Sequence, residues 1–396
     1  MSKKRNLNFA CSVLFAGYYA LFYMVGMMFS GYLMESGFEK STVTTMSSIS
    51  SFILLVAKPL FSTVVDKGRC RLLACCYCAA IAAGSGIFFF SPSRGIPQVL
   101  AYTVLCSVGS GAFMDLTDTW VLKLIKQSGD VDYGRTRAFG SAAYALCSLA
   151  YGAALTAFGY GIAPWCILAL LAVLLAVTLA MPDPPRALQA PDVKKGVFSG
   201  RLSLLKNPMF LCYMVLGTVA GHTLGMMDNF IPVLITERGG TAFHIGLSSF
   251  VMAGIEFFLL RVFTPIAERI GTHRVFALGI AGFGIKALAV SLMPTPQMII
   301  AACVTQTVSF CLYFPGRMRV LSEEVEQESL AGAFATAGIY SSLVNILLVN
   351  PVTGYLSESI GTAAMMRCFT LLCLAAGAAY YFITARIKAK QETAAQ

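Results

Sequence analysis

Twelve apolar runs of about twenty residues each, separated by short polar breaks, are the feature that most constrains this chain. A helix that crosses a bilayer needs about 20 predominantly apolar residues. The runs lie near 7–34, 42–65, 72–90, 97–122, 138–158, 162–181, 208–235, 243–266, 274–293, 297–316, 330–356 and 362–385. They predict an all-α integral membrane protein with twelve transmembrane helices. Composition agrees: 57% of the 396 residues are hydrophobic and 12% charged, whereas a soluble domain runs near ~45–50% and ~25%. Disordered chains, collagens, nucleic-acid-binding modules and ordinary cytosolic enzymes fit poorly.

The first run follows Lys3-Lys4-Arg5. It is too long for a signal-peptide core and no small-residue cleavage site follows, so it reads as an uncleaved span. Most of the 13 cysteines, such as Cys11, Cys106, Cys212 and Cys303, sit inside apolar runs, where a thiol serves as a small hydrophobe. Cys75-Cys76-Tyr77-Cys78 holds one CxxC without a second pair or a nearby histidine, so the segment reads as packing. No disulfide framework, metal site or cofactor is expected.

Loop charge sets the orientation. The net charge is +10, and alternate loops hold most of the excess. Lys67, Arg69 and Arg71 follow span 2; Lys123, Lys126 and Arg135 follow span 4; Arg186, Lys194, Lys195, Arg201 and Lys206 follow span 6. Arg269 and Arg274 follow span 8, Arg317 and Arg319 follow span 10, and Arg386, Lys388 and Lys390 form the tail. The opposite loops carry Lys40, Arg94, Arg238 and Arg367. The bias predicts a multi-pass protein of the inner, cytoplasmic membrane with both termini in the cytoplasm.

The longest connection, 182–207, holds Pro182, Pro184, Pro185 and Pro191 and reads as a cytoplasmic linker. It separates an N-terminal six-helix half, 1–181, from a C-terminal half with a short basic tail, 208–396. The halves also rhyme. Asp66-Lys67-Gly68-Arg69-Cys70-Arg71 is echoed by Glu268-Arg269-Ile270-Gly271-Thr272-His273-Arg274. Paired six-helix halves fit a secondary transporter.

These two loops resemble the 2–3 loop motif of the major facilitator superfamily and its repeat. The resemblance implies gating roles for Asp66, Arg69, Glu268 and Arg269. A closer likeness, to the lactose permease branch and its aromatic-acid and nucleoside permease relatives, rests on Asp132-Tyr133-Gly134-Arg135-Thr136-Arg137-Ala138-Phe139-Gly140-Ser141, on Gly354-Tyr355-Leu356-Ser357-Glu358-Ser359-Ile360-Gly361 and on Lys286. The branch departs at span 10 and span 11, where its His, Glu and Lys are replaced by Val308, Cys311 and Ser342.

Charges within the apolar runs are the candidate site. An ionised side chain at mid-bilayer costs about 2.5–3.5 kcal/mol on insertion scales. Here the runs hold Asp115, Asp118, Asp228, Glu256 and Lys286, with Arg137 opening span 5. Such groups must face a cavity, pair, or carry protons. Asp115 and Asp118 are three apart and share a helix face. By resemblance, Asp118, Arg137 and Tyr144 hold substrate, with the branch's own acid aligning at Thr119. By resemblance again, Asp228, Glu256 and Lys286 serve coupling, and a carboxyl desolvated in a bilayer can hold a proton near neutral pH. Glu256 is the first candidate, with a structural pair to Lys286 as the competing reading. His222, a lone helix histidine in span 7, is a further coupling candidate or a packing residue.

The sequence contains no Walker motif, zinc spacing or nucleophile elbow. The expectation is therefore a monomeric secondary active transporter, not an enzyme. It would use no cofactor beyond a proton or other coupling ion. It would import a small-molecule substrate across the lipid bilayer by alternating access and touch no nucleic acid. The alternative is a proton-driven exporter of hydrophobic compounds.

Overall fold

The computed structural model describes residues 2–66, 69–92, 95–128, 133–183, 204–259, 263–325 and 330–395. The side chains of Lys58, Asp66 and Asp115 lie outside the described residues, as do Lys67, Gly68, Arg261 and most of the 182–207 linker. Among the described residues every regular element is helical, and twelve rods follow the twelve apolar runs. Nine of them are long and apolar enough on their own to cross a membrane, and Ile96–Ser110 and Ala242–Glu256 are shorter apolar stretches.

Span 1 is Ser2–Phe22, a π-helical turn at Tyr23–Met27, and Met28–Glu35. Spans 2 to 6 are Lys40–Asp66, Cys70–Phe89, Ile96–Ser128, Tyr133–Phe158 and Ala163–Ala180. Span 7 runs Pro208–Cys212, a π-helical turn at Tyr213–Gly217, and Thr218–Glu237. Span 8 is Ala242–Leu259, followed by Phe263–Ile270, and span 9 is Thr272–Leu292. Span 10 runs Pro296–Ala302, a 3₁₀ segment at Cys303–Thr307, and Phe310–Glu324. Span 11 runs Leu330–Val344, a π-helical turn at Asn345–Val349, and Asn350–Ser359; span 12 is Thr362–Ala395.

Several edges move from the expectation. Lys123 stays on the helix of span 4, Arg317 and Arg319 stay on span 10, and Arg386, Lys388 and Lys390 continue span 12. Hydropathy stops where charge begins, but an amphiphilic last turn can remain helical while its long side chains reach water. Local chemistry explains the starts. Asn207 caps span 7: its Oδ1 accepts from the backbone N–H of Met209 and Phe210 at 2.9 and 3.2 Å, with Pro208 next, where a missing N–H costs nothing. Asn207 Nδ2 also donates to the Glu324 carbonyl at 3.1 Å, which ties the start of span 7 to the end of span 10.

Contacts divide the chain into two compact units. One comprises Met1–Gln189 with Gly240–Ala253, the other Ala190–Gly239 with Gly254–Gln396. In the first, span 1 packs on spans 5 and 6, and span 3 on spans 4 and 6. In the second, span 9 packs on spans 10 and 12, and span 7 on span 12. The pairing of 3 with 4 and 6 thus returns as 9 with 10 and 12.

Each unit has an aromatic core. In the first, Phe29 stacks on Tyr102 at 4.1 Å and Phe88 meets both. The Tyr102 hydroxyl donates to the Val25 carbonyl at 2.9 Å, inside the π turn where a backbone carbonyl loses its regular partner. In the second, Phe276 stacks on Tyr213 and Tyr313 at 5.8 and 5.3 Å and meets Tyr380 edge-on. Gly279 makes this packing possible: a Cβ there would lie 2.7 Å from the Tyr313 nitrogen, so only hydrogen lets spans 9 and 10 approach.

Candidate functional site

In the first unit, spans 1, 4 and 5 bring Asp118 and Arg137 together. Arg137 Nε lies 3.8 Å from Asp118 Oδ1, and each side chain is 28% exposed. That is a charge contact outside hydrogen-bond range. Tyr133, one turn before Arg137, donates from its hydroxyl to the same Oδ1 at 3.1 Å. The guanidinium lies 4.4 Å from the Tyr19 ring centroid and 5.8 Å from that of Phe15, a cation–π seat that holds a planar cation without neutralising it. A carboxylate acceptor, a fork of donors and aromatic faces suit a polar, ring-bearing solute. Tyr144 is elsewhere: it lies two turns beyond Arg137 and meets Tyr23 edge-to-face at 5.4 Å. Asp115 is on the span-4 helix, but its side chain lies outside the described residues.

In the second unit, spans 8, 9 and 10 meet around Gln306. Lys286 has no solvent exposure, and Gln306 is 3% exposed. Lys286 Nζ donates to Gln306 Oε1, and Gln306 Nε2 donates to Glu256 Oε1, both at 2.5 Å. The amide thus presents its acceptor to the cation and its donor to the anion. Asp228 of span 7 lies within electrostatic reach of both Lys286 and Glu256. Three of the four coupling candidates therefore form one cluster, joined by an amide that the search for ionisable groups passed over. The available signal was a glutamine in the middle of the 297–316 apolar run, since a buried amide is also costly unless bonded.

His222 stands apart, with its Nδ1 2.8 Å from Asn345 Oδ1. An acceptor oxygen there requires the proton on Nδ1. Each of the three π turns among the described residues carries a polar side chain with a partner on another helix. Tyr23 meets Tyr144, Tyr213 lies within electrostatic reach of Arg317, and Asn345 bonds His222.

Beside the 2–3 loop of the first unit Arg69 is exposed, and beside the 8–9 loop of the second Glu268 and Arg269 are exposed; the Asp66 side chain lies outside the described residues. The links formed there use neighbouring residues. In the first unit, Arg71 donates from Nε and Nη2 to the Met181 carbonyl at 3.1 and 2.5 Å, and Trp120 Nε1 donates to the Pro182 carbonyl at 2.9 Å. In the second, Glu324 Oε1 is 2.7 Å from His273 Nε2 and 3.5 Å from Lys388 Nζ. Glu323 Oε1 accepts from Arg319 Nε at 2.9 Å and from the Thr272 hydroxyl at 2.8 Å. A cavity of about 780 Å³ opens among Glu268, His273, Arg274, Arg319 and Lys388. Among the described residues no cluster of His, Cys, Asp and Glu could hold a metal.

Maltose permease of Geobacillus stearothermophilus is 25% identical over 371 residues, covering 89% of each chain. Among solved structures, a mutant of the nucleoside transporter NupG superposes with a TM-score of 0.82 at 15% identity, covering 95% of this chain and 99% of the other. A POT family transporter in complex with a thioalcohol-conjugated peptide gives 0.75 at 12% identity, covering 97% and 96%. At such identities the structures speak for the fold. Residues 12–377 match the family described as the MFS_1 like family. The chain belongs to that family: it is a multi-pass membrane transporter of the major facilitator type, not an enzyme.

Proposed function

We propose that this chain is a proton-coupled importer of a small organic solute. It would act by alternating access, as a monomer, in the cytoplasmic membrane with both termini inside. The observation that carries the reading is the buried Glu256–Gln306–Lys286 chain with Asp228 beside it. Two carboxyl groups and one ammonium leave a net negative charge when all are ionised. A proton taken by either carboxyl makes the cluster neutral. A membrane interior disfavours a net buried charge, so moving that proton would change the energy of the state that holds it. Gln306 can stay bonded through both states, because its amide donates to a carboxylate or a carboxylic acid alike. Asp118, Arg137 and Tyr133 supply the polar contacts for solute. The names of the relatives put sugars and nucleosides first among solutes to try.

The test is uptake into proteoliposomes with and without an imposed pH gradient, using labelled maltose, uridine, glucuronate and benzoate. The wild type should accumulate at least one of them uphill only when the gradient is present. Glu256→Gln, a neutral mimic of the protonated acid, should keep exchange of that solute and lose uphill accumulation. Wild-type accumulation in Glu256→Gln would remove Glu256 from coupling and make Asp228 the next candidate. A gradient that drives solute only outward would favour the exporter of hydrophobic compounds.

A further inference from the structure

The ends of spans 9, 10 and 12 enclose the cavity of about 780 Å³, and three helices each send a base to its lining. Arg274 comes from the first turn of span 9, Arg319 from the end of span 10 and Lys388 from the end of span 12. Two of the three are compensated. Arg319 bonds Glu323, and Lys388 lies 3.5 Å from Glu324. Glu323 also accepts from Thr272, and Glu324 is held by His273. Arg274 is exposed, and among the described residues it forms no hydrogen bond or ion pair. Glu268 lines the same cavity and does not pair with it.

The helix that carries Arg274 works against it. A helix dipole favours anions at its N-terminal end and cations at its C-terminal end. Span 9 starts after Gly271, which has no side chain to accept from the first turn, and that turn holds His273 and Arg274 and no acid. An arginine that only marked one side of the membrane could sit at any exposed position nearby. This one sits where its own helix repels it, in a hollow shared with two cations from other helices. Positive charge concentrated in a concave site attracts an anion.

The other wall narrows the class of anion. Ile270 and Tyr381 also line the cavity, and both are exposed. Next to Tyr381, Phe382 and Ile383 are exposed as well, as befits a helix that meets lipid, and tyrosine is a residue of the membrane–water interface. A free anion would use the bases and leave the apolar wall unoccupied. An amphiphile uses both. A phosphodiester carries one negative charge and two free oxygens, which suit a guanidinium fork with an ammonium beside it. A basic pocket between transmembrane helices is a recognised form of headgroup site.

We infer that this cavity binds the phosphate of an anionic phospholipid, with Arg274 as its principal contact and Arg319 and Lys388 alongside. The site is separate from Asp118 and Arg137 and from the Glu256–Gln306–Lys286 chain, and it does not depend on which solute is carried. The test follows thermal unfolding of the full-length protein, purified and delipidated in neutral detergent. Dioleoyl phosphatidylglycerol is titrated against dioleoyl phosphatidylcholine, which has the same chains and no net charge. Inorganic phosphate and glycerol phosphate form separate arms. Phosphatidylglycerol should raise the unfolding midpoint at lower concentration than phosphatidylcholine, and the soluble phosphates should not raise it over the same range. Arg274→Gln should weaken the phosphatidylglycerol response about fivefold or more. Arg274→Lys, which keeps charge but loses the fork, should fall between. Arg367→Gln removes an equal, exposed charge at the opposite end of span 12 and should respond as wild type does.

Should Arg274→Gln fail to fold, Lys388→Gln takes its place and should weaken the response in the same direction. Equal titrations by the two lipids, an unchanged response in the folded variant, or an equal loss in Arg367→Gln overturns the site. Stabilisation by either soluble phosphate as strong as that by phosphatidylglycerol, and lost in Arg274→Gln, overturns the lipid as occupant and makes the ligand a soluble phosphate.

Discussion

Gln306 shows what a single neutral side chain can decide inside a membrane protein. Its amide keeps the Lys286 ammonium and the Glu256 carboxylate apart while bonding both, so each charge is solvated by protein instead of water. Replacing it with leucine would delete two hydrogen bonds to charged groups, each worth about 1.5–3 kcal/mol. Gln306→Leu should therefore lower stability by roughly 3 kcal/mol or more, read as a fall in the thermal unfolding midpoint of purified protein. Adding Glu256→Gln and Lys286→Met, which removes the stranded charges, should recover much of that loss. No recovery in the triple variant would mean that the amide acts by packing alone. The ionisable members of the cluster were visible in the sequence because charge is rare in an apolar run. Gln306 and Asn345 were not, because an amide in such a run stands out only once its partner is known. Arg317 was visible and misplaced: a charge at the edge of a hydropathy window reads as loop.

At the scale of elements, the twelve rods were legible and their interruptions were not. Hydropathy reports that a segment is apolar and nothing of how its backbone bonds run. A π or 3₁₀ turn shifts backbone bonds by one residue and leaves little compositional trace, so Tyr23–Met27, Tyr213–Gly217, Cys303–Thr307 and Asn345–Val349 appear only in coordinates. The 3₁₀ segment of span 10 matters most because it carries Gln306. Its placement depends on span 9, where Gly279 lets the backbone of span 10 lie close and Lys286 follows two turns later. Gly279→Val would place a Cβ 2.7 Å from the Tyr313 nitrogen and force the helices apart. It should destabilise by about 1–3 kcal/mol, the usual cost of overpacking, and also lower uphill accumulation by displacing Gln306 from Lys286. Gly225 has nothing within 4 Å of an added Cβ, so Gly225→Ala should leave both measurements near wild type. Equal losses in the two variants would show that an added side chain on any of these helices, not the close approach of spans 9 and 10, causes the loss.

At the scale of the whole molecule, orientation in the membrane rests on charge. Several basic residues first taken as loop, including Lys123, Arg317, Arg319 and Arg386, are on helices. The positive-inside bias counts residues near the ends of spans as well as those between them, so these helical residues still count toward it. In the second unit Arg274, Arg319 and Lys388 line one cavity, so these basic residues gather at one end of its helices. Lys40, Arg238 and Arg367 fall at the other ends of their helices. Single cysteines introduced at 40, 94, 238 and 367, in a chain stripped of its 13 native cysteines, should react with a membrane-impermeant reagent in intact cells. A cysteine at 194 should react only after the membrane is opened. Labelling at 194 in sealed cells, with 40 and 238 silent, would reverse the topology. It would put the basic cavity outside and turn the proposed direction of proton-driven movement into export.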